Sequence, residues 1–322
     1  MIAAWFNRLA SLKLTLVILA LLGAGVLMTY RTEVRSAWPL AVALTLLALN
    51  LACAVVTNPV FRRQTALLTF HLALIAIVLL IAAGQLTYLR GQLELSSGEE
   101  FHGELTQSER GPWHRGRISE VAFANHGFTI DYSPGMKRDQ TRNAVTWKDA
   151  TGREQRSVIG DQQPLVLNGY RFYTSPNKGF APLFVWHPAQ GTPQRGTIHL
   201  PSYPINEYGQ SLEWTPPGTG VRLWFMLKFE ETLLDPAKPW QFRPPREHAL
   251  VLRVGDERRE LKPGERYLLP QGMLAYEGLT TWMGYTVFYD WTMPWLLAAC
   301  LLAVVSLGWH YQQKFVARPW EA

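Results

Sequence analysis

His71 stands where an ionisable side chain is costly. It follows the basic pair Arg62-Arg63 by eight residues, within a stretch from Gln64 to Leu89 that contains no charged residue. Leu67, Leu68, Leu74, Ile75, Val78 and Ala82 surround it at helical spacing, and nothing else on that face is polar. A polar ring buried in such a helix costs roughly a few kcal/mol unless a partner or ligand satisfies it. A neutral imidazole in apolar surroundings suits axial ligation of haem iron, with the macrocycle filling the space around it. The alternative is a structural histidine hydrogen-bonded to a neighbouring helix, for which Asn50 is the obvious partner. At ~1.5 Å per residue, His71 lies about 12 Å and Asn50 about 18 Å from the basic pair, so both fall in the same half of a membrane. His310, near the end of the last apolar stretch, reads as an interfacial residue or as a second haem ligand.

The other histidines, His102, His114, His126, His187, His199 and His248, have no metal-ligand spacing and no Cys-x-x-Cys beside them. They read as surface residues or as satisfied core residues. No Cys-x-x-Cys-His for covalent haem, Gly-rich phosphate loop or nucleophile elbow occurs. The two cysteines, Cys53 and Cys300, both fall in apolar stretches, where a thiol is inert filler.

These residues need elements to hold them. Four stretches lack Asp, Glu, Lys and Arg: Leu14 to Tyr30, Ser36 to Phe61, Gln64 to Leu89 and Trp291 to Gln313. Each is long enough to cross ~30 Å of hydrocarbon as a helix. Ser11 serves as a cap for the first, Asn58-Pro59 stops the second, and the turn at Arg62-Arg63 returns the chain as the third. A cleaved signal peptide is the alternative for the first span, but no small-residue cleavage site is present and further spans follow.

Between Arg90 and Asp290, short apolar runs alternate with turn residues: Phe128 to Tyr132, Leu165 to Leu167, Tyr170 to Thr174, Leu183 to Trp186, Leu223 to Phe229 and Ala249 to Val254. That spacing predicts an all-β sandwich or barrel-like domain, with Asn168-Gly169 as a type I′ hairpin turn. The Pro-rich segment Asp235 to Pro245 reads as a surface loop. The expected organisation is a three-helix membrane unit (1–89), an inserted β-rich domain (90–290), and a fourth membrane helix with its tail (291–322).

The formal net charge of +6 is concentrated at the membrane segments, because residues 90–290 contain 23 basic and 23 acidic side chains. A neutral inserted domain lacks the electrostatic footprint of a nucleic-acid binder. Arg8, Lys13, Arg62, Arg63, Lys314 and Arg318 flank helix ends on one side, against Arg31 and Arg35 beside Glu33 on the other. The positive-inside rule then puts both termini in the cytoplasm and the β domain outside the inner membrane.

Three segments together resemble the ResB (or CcsB) proteins of cytochrome c biogenesis: Leu9-Ala10-Ser11-Leu12-Lys13-Leu14-Thr15-Leu16-Val17, the run from Gln163 through Asn168-Gly169-Tyr170 to Ser175, and the run from Gly284 through Asp290-Trp291 to Trp295. The resemblance spans the chain in order. After the first span it departs from the family's Gly-Thr and Pro-Gln turn, with Met28-Thr29-Tyr30-Arg31 instead. It implies a system II haem lyase whose second membrane subunit, of the ResC or CcsA kind, carries the tryptophan-rich haem-handling segment that this chain lacks. It also implies that a third-helix histidine, matching His71, ligates haem b in transit to apocytochrome c. On this reading the chain is an accessory, non-catalytic subunit. Two other readings stay open: a scaffold that anchors an extracytoplasmic cytochrome or electron-transfer complex, and transmembrane electron transfer through haem held by His71 and His310.

Overall fold

A computed structural model of the chain describes residues 2–31, 36–205, 209–231, 233 and 235–317. Glu33, Arg35 and Arg318, which enter the charge argument for orientation, lie outside the described residues, as do the side chains of Tyr30 and Arg31.

The chain opens with helices α1 (Ile2–Leu9), α2 (Leu12–Arg31), α3 (Trp38–Thr57), α4 (Val60–Arg63) and α5 (Thr65–Thr87). Among the described residues, α2, α3, α5 and the last helix are long and apolar enough to cross a membrane. Local chemistry sets their ends. Thr15 N–H donates to Ser11 O at 3.1 Å as α2 begins. Pro39 occupies the first turn of α3, where its missing N–H costs nothing. Asn58 turns extended, Pro59 follows, and Asn58 Oδ1 accepts the Val60 N–H at 3.0 Å to start the single turn α4 that carries Arg62 and Arg63. Helix α1 was not expected from the sequence, because eight residues are too few for a periodic pattern.

The strands follow as β1 (Leu89–Ser96), β2 (Glu100–Phe101), β3 (Gln107–Arg110), β4 (Phe123–Ser133), β5 (Lys137–Lys148), β6 (Glu154–Gly160), β7 (Leu165–Leu167), β8 (Tyr170–Pro188), β9 (Gln194–Thr197), β10 (Ser211–Trp214), β11 (Leu223–Phe229), β12 (Trp240–Gln241), β13 (His248–Val254), β14 (Glu257–Leu261), β15 (Arg266–Leu269) and β16 (Gly272–Tyr289). Helix α6 (Met293–Ala317) completes the described chain. Two compact units result. One comprises 1–90, 109–116 and 289–322; the other comprises 91–108 and 117–288. The short excursion Glu109–Gly116 therefore belongs with the helices, although it lies within the span read as one β domain.

In the helix unit, α2 packs on α3, α3 on α5 and α5 on α6. Small side chains make these approaches: Ala41 and Ala48 on α3, Ala66 and Ala73 on α5, and Ala299, Ala303 and Ser306 on α6 are all buried. Close packing of this kind replaces the hydrophobic drive that lipid cannot supply. A Cβ on Gly84 of α5 would stand 3.1 Å from Thr292 Oγ1, so the last turn of α5 meets the start of α6.

The β unit contains three sheets. Their strand orders are β3-β1-β16-β8-β7, with β15 on β16 and β9 on β8; β10-β11-β13-β14; and β12-β4-β5-β6, with β2 on β4. Phe184 and Trp186 of β8, Leu223 and Phe225 of β11, Leu250 and Leu252 of β13 and Tyr276 of β16 form one buried cluster. Asn168 and Gly169 adopt φ of 49° and 82° between Leu167 and Tyr170, as a type I′ turn requires. Two sequence expectations fail here. Tyr170 to Thr174 and Leu183 to Trp186 are parts of one strand, β8, which runs straight through Pro176-Asn177. The Pro-rich segment is not merely a surface loop, since Phe242 is 2% exposed and stacks between Phe128 and Phe180, with centroids at 5.0 and 5.1 Å.

Candidate functional site

His71 sits on the second turn of α5, half-buried, with the ring of Phe61 at 4.6 Å and that of Phe70 at 5.3 Å, both edge-on. Its Nδ1 lies 2.9 Å from Leu67 O, one turn back on the same helix. A carbonyl only accepts, so in the neutral ring the proton resides on Nδ1 and the lone pair on Nε2. Among the described residues, Nε2 has no hydrogen-bond partner.

Asn50 is buried on α3, but its amide serves the first span rather than His71. Its Nδ2 donates to Leu9 O at 2.5 Å, and its Oδ1 accepts the Thr15 hydroxyl at 2.7 Å. This satisfied clamp ties α3 to the entry of α2 without charge, which suits hydrocarbon.

His310 is 7% exposed on α6, beside Tyr311 at 5.7 Å, so it is buried in helix packing rather than placed at an open interface. Since Gly84 faces Thr292 and the helices run antiparallel, His310 is expected roughly 7 Å nearer the Arg62-Arg63 end of the bundle than His71 at ~1.5 Å per residue.

His102, His126, His199 and His248 of the β unit find protein partners. His248 Nε2 meets Tyr276 OH at 2.8 Å, and burial lowers the pKa of His248. His126 Nε2 meets Thr146 Oγ1 at 2.8 Å, and exposed His102 lies 3.5 Å from Glu100. Among the described residues, no three His, Cys, Asp or Glu side chains converge as a metal site.

His199 carries an arrangement that sequence spacing could not reveal, because its partners lie about a hundred residues away. Nδ1–H donates to Glu94 Oε2 at 2.8 Å, Nε2 lies 3.0 Å from Ser96 Oγ, and the ring stacks on Trp282 at 4.9 Å. The order carboxylate, imidazole, hydroxyl is that of a nucleophile triad. Here Ser96 is only 4% exposed and its Oγ is also bonded to Thr197 Oγ1 at 2.6 Å, so the hydroxyl has no open approach for a substrate carbon.

Two further buried polar features shape this unit. Tyr285 OH donates to Asn143 Oδ1 at 2.7 Å, and Asn143 Nδ2 donates to Asn125 Oδ1 at 2.7 Å, linking β16, β5 and β4. Lys178 is 4% exposed and donates to Ser175 O at 3.0 Å. Burial pulls its amine down to about 8, helped by the Arg138 charge and opposed by Asp161.

A model of the ResB-like family matches residues 61–312, which takes in α5, the whole inserted domain and α6 as far as Gln312. No curated protein is similar enough to the sequence to count as a match. Among solved structures, the chain is similar to a cytochrome c heme lyase, CcmF, at 14% identity and a TM-score of 0.29, over 92% of this chain and 34% of that one. The chain thus spans about a third of that protein's length, and a likeness this weak decides nothing about function.

Proposed function

Because the chain belongs to the ResB-like family, we propose that it is the accessory membrane subunit of a cytochrome c maturation complex. Beside a ResC or CcsA-type partner, it helps hold haem b on its way to apocytochrome c. Family membership supports the role in cytochrome c biogenesis, and the His71 ring supports the part this chain takes in it.

That ring is anchored through Nδ1–H on Leu67 O and directs an uncommitted Nε2 lone pair away from its own helix, among aromatic side chains. Fixing one ring nitrogen on a carbonyl sets the tautomer and aim of the other, as it does for metal-ligating histidines generally. Haem is cargo in this reading. His71 holds its iron, Leu67 O keeps the imidazole in the ligating tautomer, and Phe61 and Phe70 keep water from the ring. Thioether formation, in which the haem vinyl groups meet the Cys-x-x-Cys-His thiols of the apocytochrome, belongs to the partner, whose kind carries the tryptophan-rich haem-handling segment that this chain lacks. Arg8, Lys13, Arg62, Arg63 and Lys314 favour cytoplasmic termini, so haem enters from that side and the β unit works outside the inner membrane.

The test is haem recovered with the full chain purified together with its partner, measured as pyridine haemochrome per mole of protein. His71→Ala lowers it by about tenfold or more, since losing even an outer partner that orients a metal ligand costs about tenfold or more in affinity. Unchanged haem content removes the ligand role.

A further inference from the structure

At the end of the bundle where α5 stops, the haem reading leaves one segment of the helix unit unused. Residues Glu109–Gly116 are fastened there by three donors to the last carbonyls of α5 and that of Tyr88, which caps it. Gly111 N–H donates to Tyr88 O at 2.9 Å, Trp113 N–H to Leu86 O at 2.8 Å, and His114 Nδ1–H to Thr87 O at 2.8 Å. Helix ends leave such carbonyls without partners, and in or near hydrocarbon an unsatisfied one is costly. Gly111 permits the approach, because a Cβ there would collide with Leu86 O. The depth of the segment is thereby fixed to the end of a membrane-spanning helix.

Its side chains match that depth. Trp113 is 55% exposed and meets the Trp38 ring edge-on at 5.7 Å. Trp38, Trp291 and Trp295 are exposed as well, and Trp291 Nε1 donates to Thr87 Oγ1 at 2.9 Å. Indoles gathered at one helix end mark the headgroup layer. Arg110 and Arg115 flank Trp113, both exposed, and Arg90 lies over the Tyr88 ring at 5.6 Å. Among the described residues no ion pair joins a carboxylate to any of these three guanidinium groups, and the Glu109 carboxylate accepts the Tyr88 hydroxyl at 2.6 Å. Guanidinium groups without a carboxylate counter-ion among the described residues, held beside exposed indoles at headgroup level, complement the phosphate of an acidic lipid.

We propose that Glu109–Gly116 is a binding site for an anionic phospholipid, in which Arg110 and Arg115 grip the headgroup phosphate and Trp113 seats against the glycerol region. The site is independent of His71.

The test titrates the full chain in detergent micelles with dansyl-labelled phosphatidylglycerol or dansyl-labelled phosphatidylcholine, read by energy transfer from tryptophan. The acidic lipid binds about 25-fold tighter, on a scale of about fivefold for each arginine. Arg110→Gln with Arg115→Gln brings the two lipids level, the corresponding Lys pair keeps most of the preference, and Trp113→Phe lowers the transfer at saturation. Equal binding of both lipids by the unaltered chain, or an undiminished preference in the Gln pair, overturns the proposal. Displacement of the lipid by inorganic phosphate at comparable concentration also rejects it, by making the site one for free anions.

Discussion

Replacing Lys178 with Met removes a charge that the β unit holds at a cost. The amine is 4% exposed, its one hydrogen bond goes to Ser175 O, and burial followed by the Arg138 charge pulls its pKa from 10.5 to about 8. Above pH 8 the folded chain has released the proton, while the unfolded chain keeps it up to about 10.5. The unfolded state therefore binds more protons in this window, and this residue's contribution makes stability rise with pH there. At about 1.4 kcal/mol for each pH unit that separates the two values, the charged amine destabilises the fold by roughly 3 kcal/mol at pH 7, and the penalty is gone near pH 10.5. Lys178→Met is accordingly more stable than the unaltered chain at pH 7 by up to about 3 kcal/mol. At about pH 10.5 it is level, or about 1 kcal/mol worse for the lost hydrogen bond. For a unit of this size, about 3 kcal/mol corresponds to about 6–12 °C in Tm. The assay is thermal unfolding of the full chain in detergent between about pH 7 and 10.5, followed by tryptophan fluorescence. A Tm gap that stays constant with pH, or a variant less stable at pH 7, refutes the assignment of a costly buried charge to this residue.

Other outcomes follow from the same structure. Phe242→Ala, which empties a buried position between Phe128 and Phe180, lowers the stability of the β unit by about 3–5 kcal/mol in denaturant titrations. Tyr285→Phe leaves the buried Asn143 Oδ1 without its donor and costs about 1–3 kcal/mol by the same measure. Asn50→Leu strips the α3 clamp from Leu9 O and Thr15, and cross-linking between cysteines placed on α2 and α3 becomes less efficient, while haem content changes less than in His71→Ala.

What could be read from the residues depended on the range of the interactions concerned. The four spans were legible because a charge-free run of some twenty residues has few other uses, and helices Leu12–Arg31, Trp38–Thr57, Thr65–Thr87 and Met293–Ala317 fall on them. Strand β7 and its Asn168-Gly169 turn were legible because a two-residue hairpin is local chemistry. Strand β8 read as two pieces because Ser175-Pro176-Asn177 resembles a turn, and only pairing across the sheet carries the strand through it. Phe242 was hidden for a similar reason: prolines around it suggested solvent, while its burial depends on aromatic rings from β4 and β8. At the site, the depth and apolar setting of His71 were visible from spacing. The Leu67 anchor and the partners of Asn50 were not, since these depend on ring orientation and on which helices touch. The Glu94–His199–Ser96 chain and the fastening of residues 109–116 to α5 join distant segments and leave no local trace.

The haem assignment is tested most directly by the iron's own ligand signature. The full chain bearing His71→Gly is purified with its partner in the presence of ¹⁵N-imidazole, and pulsed EPR is recorded on the ferric haem. If His71 ligates the iron, haem content returns toward that of the unaltered chain and a ¹⁵N coupling from coordinated imidazole appears. Full haem retention in His71→Gly without added imidazole, with an unchanged spectrum, contradicts the assignment.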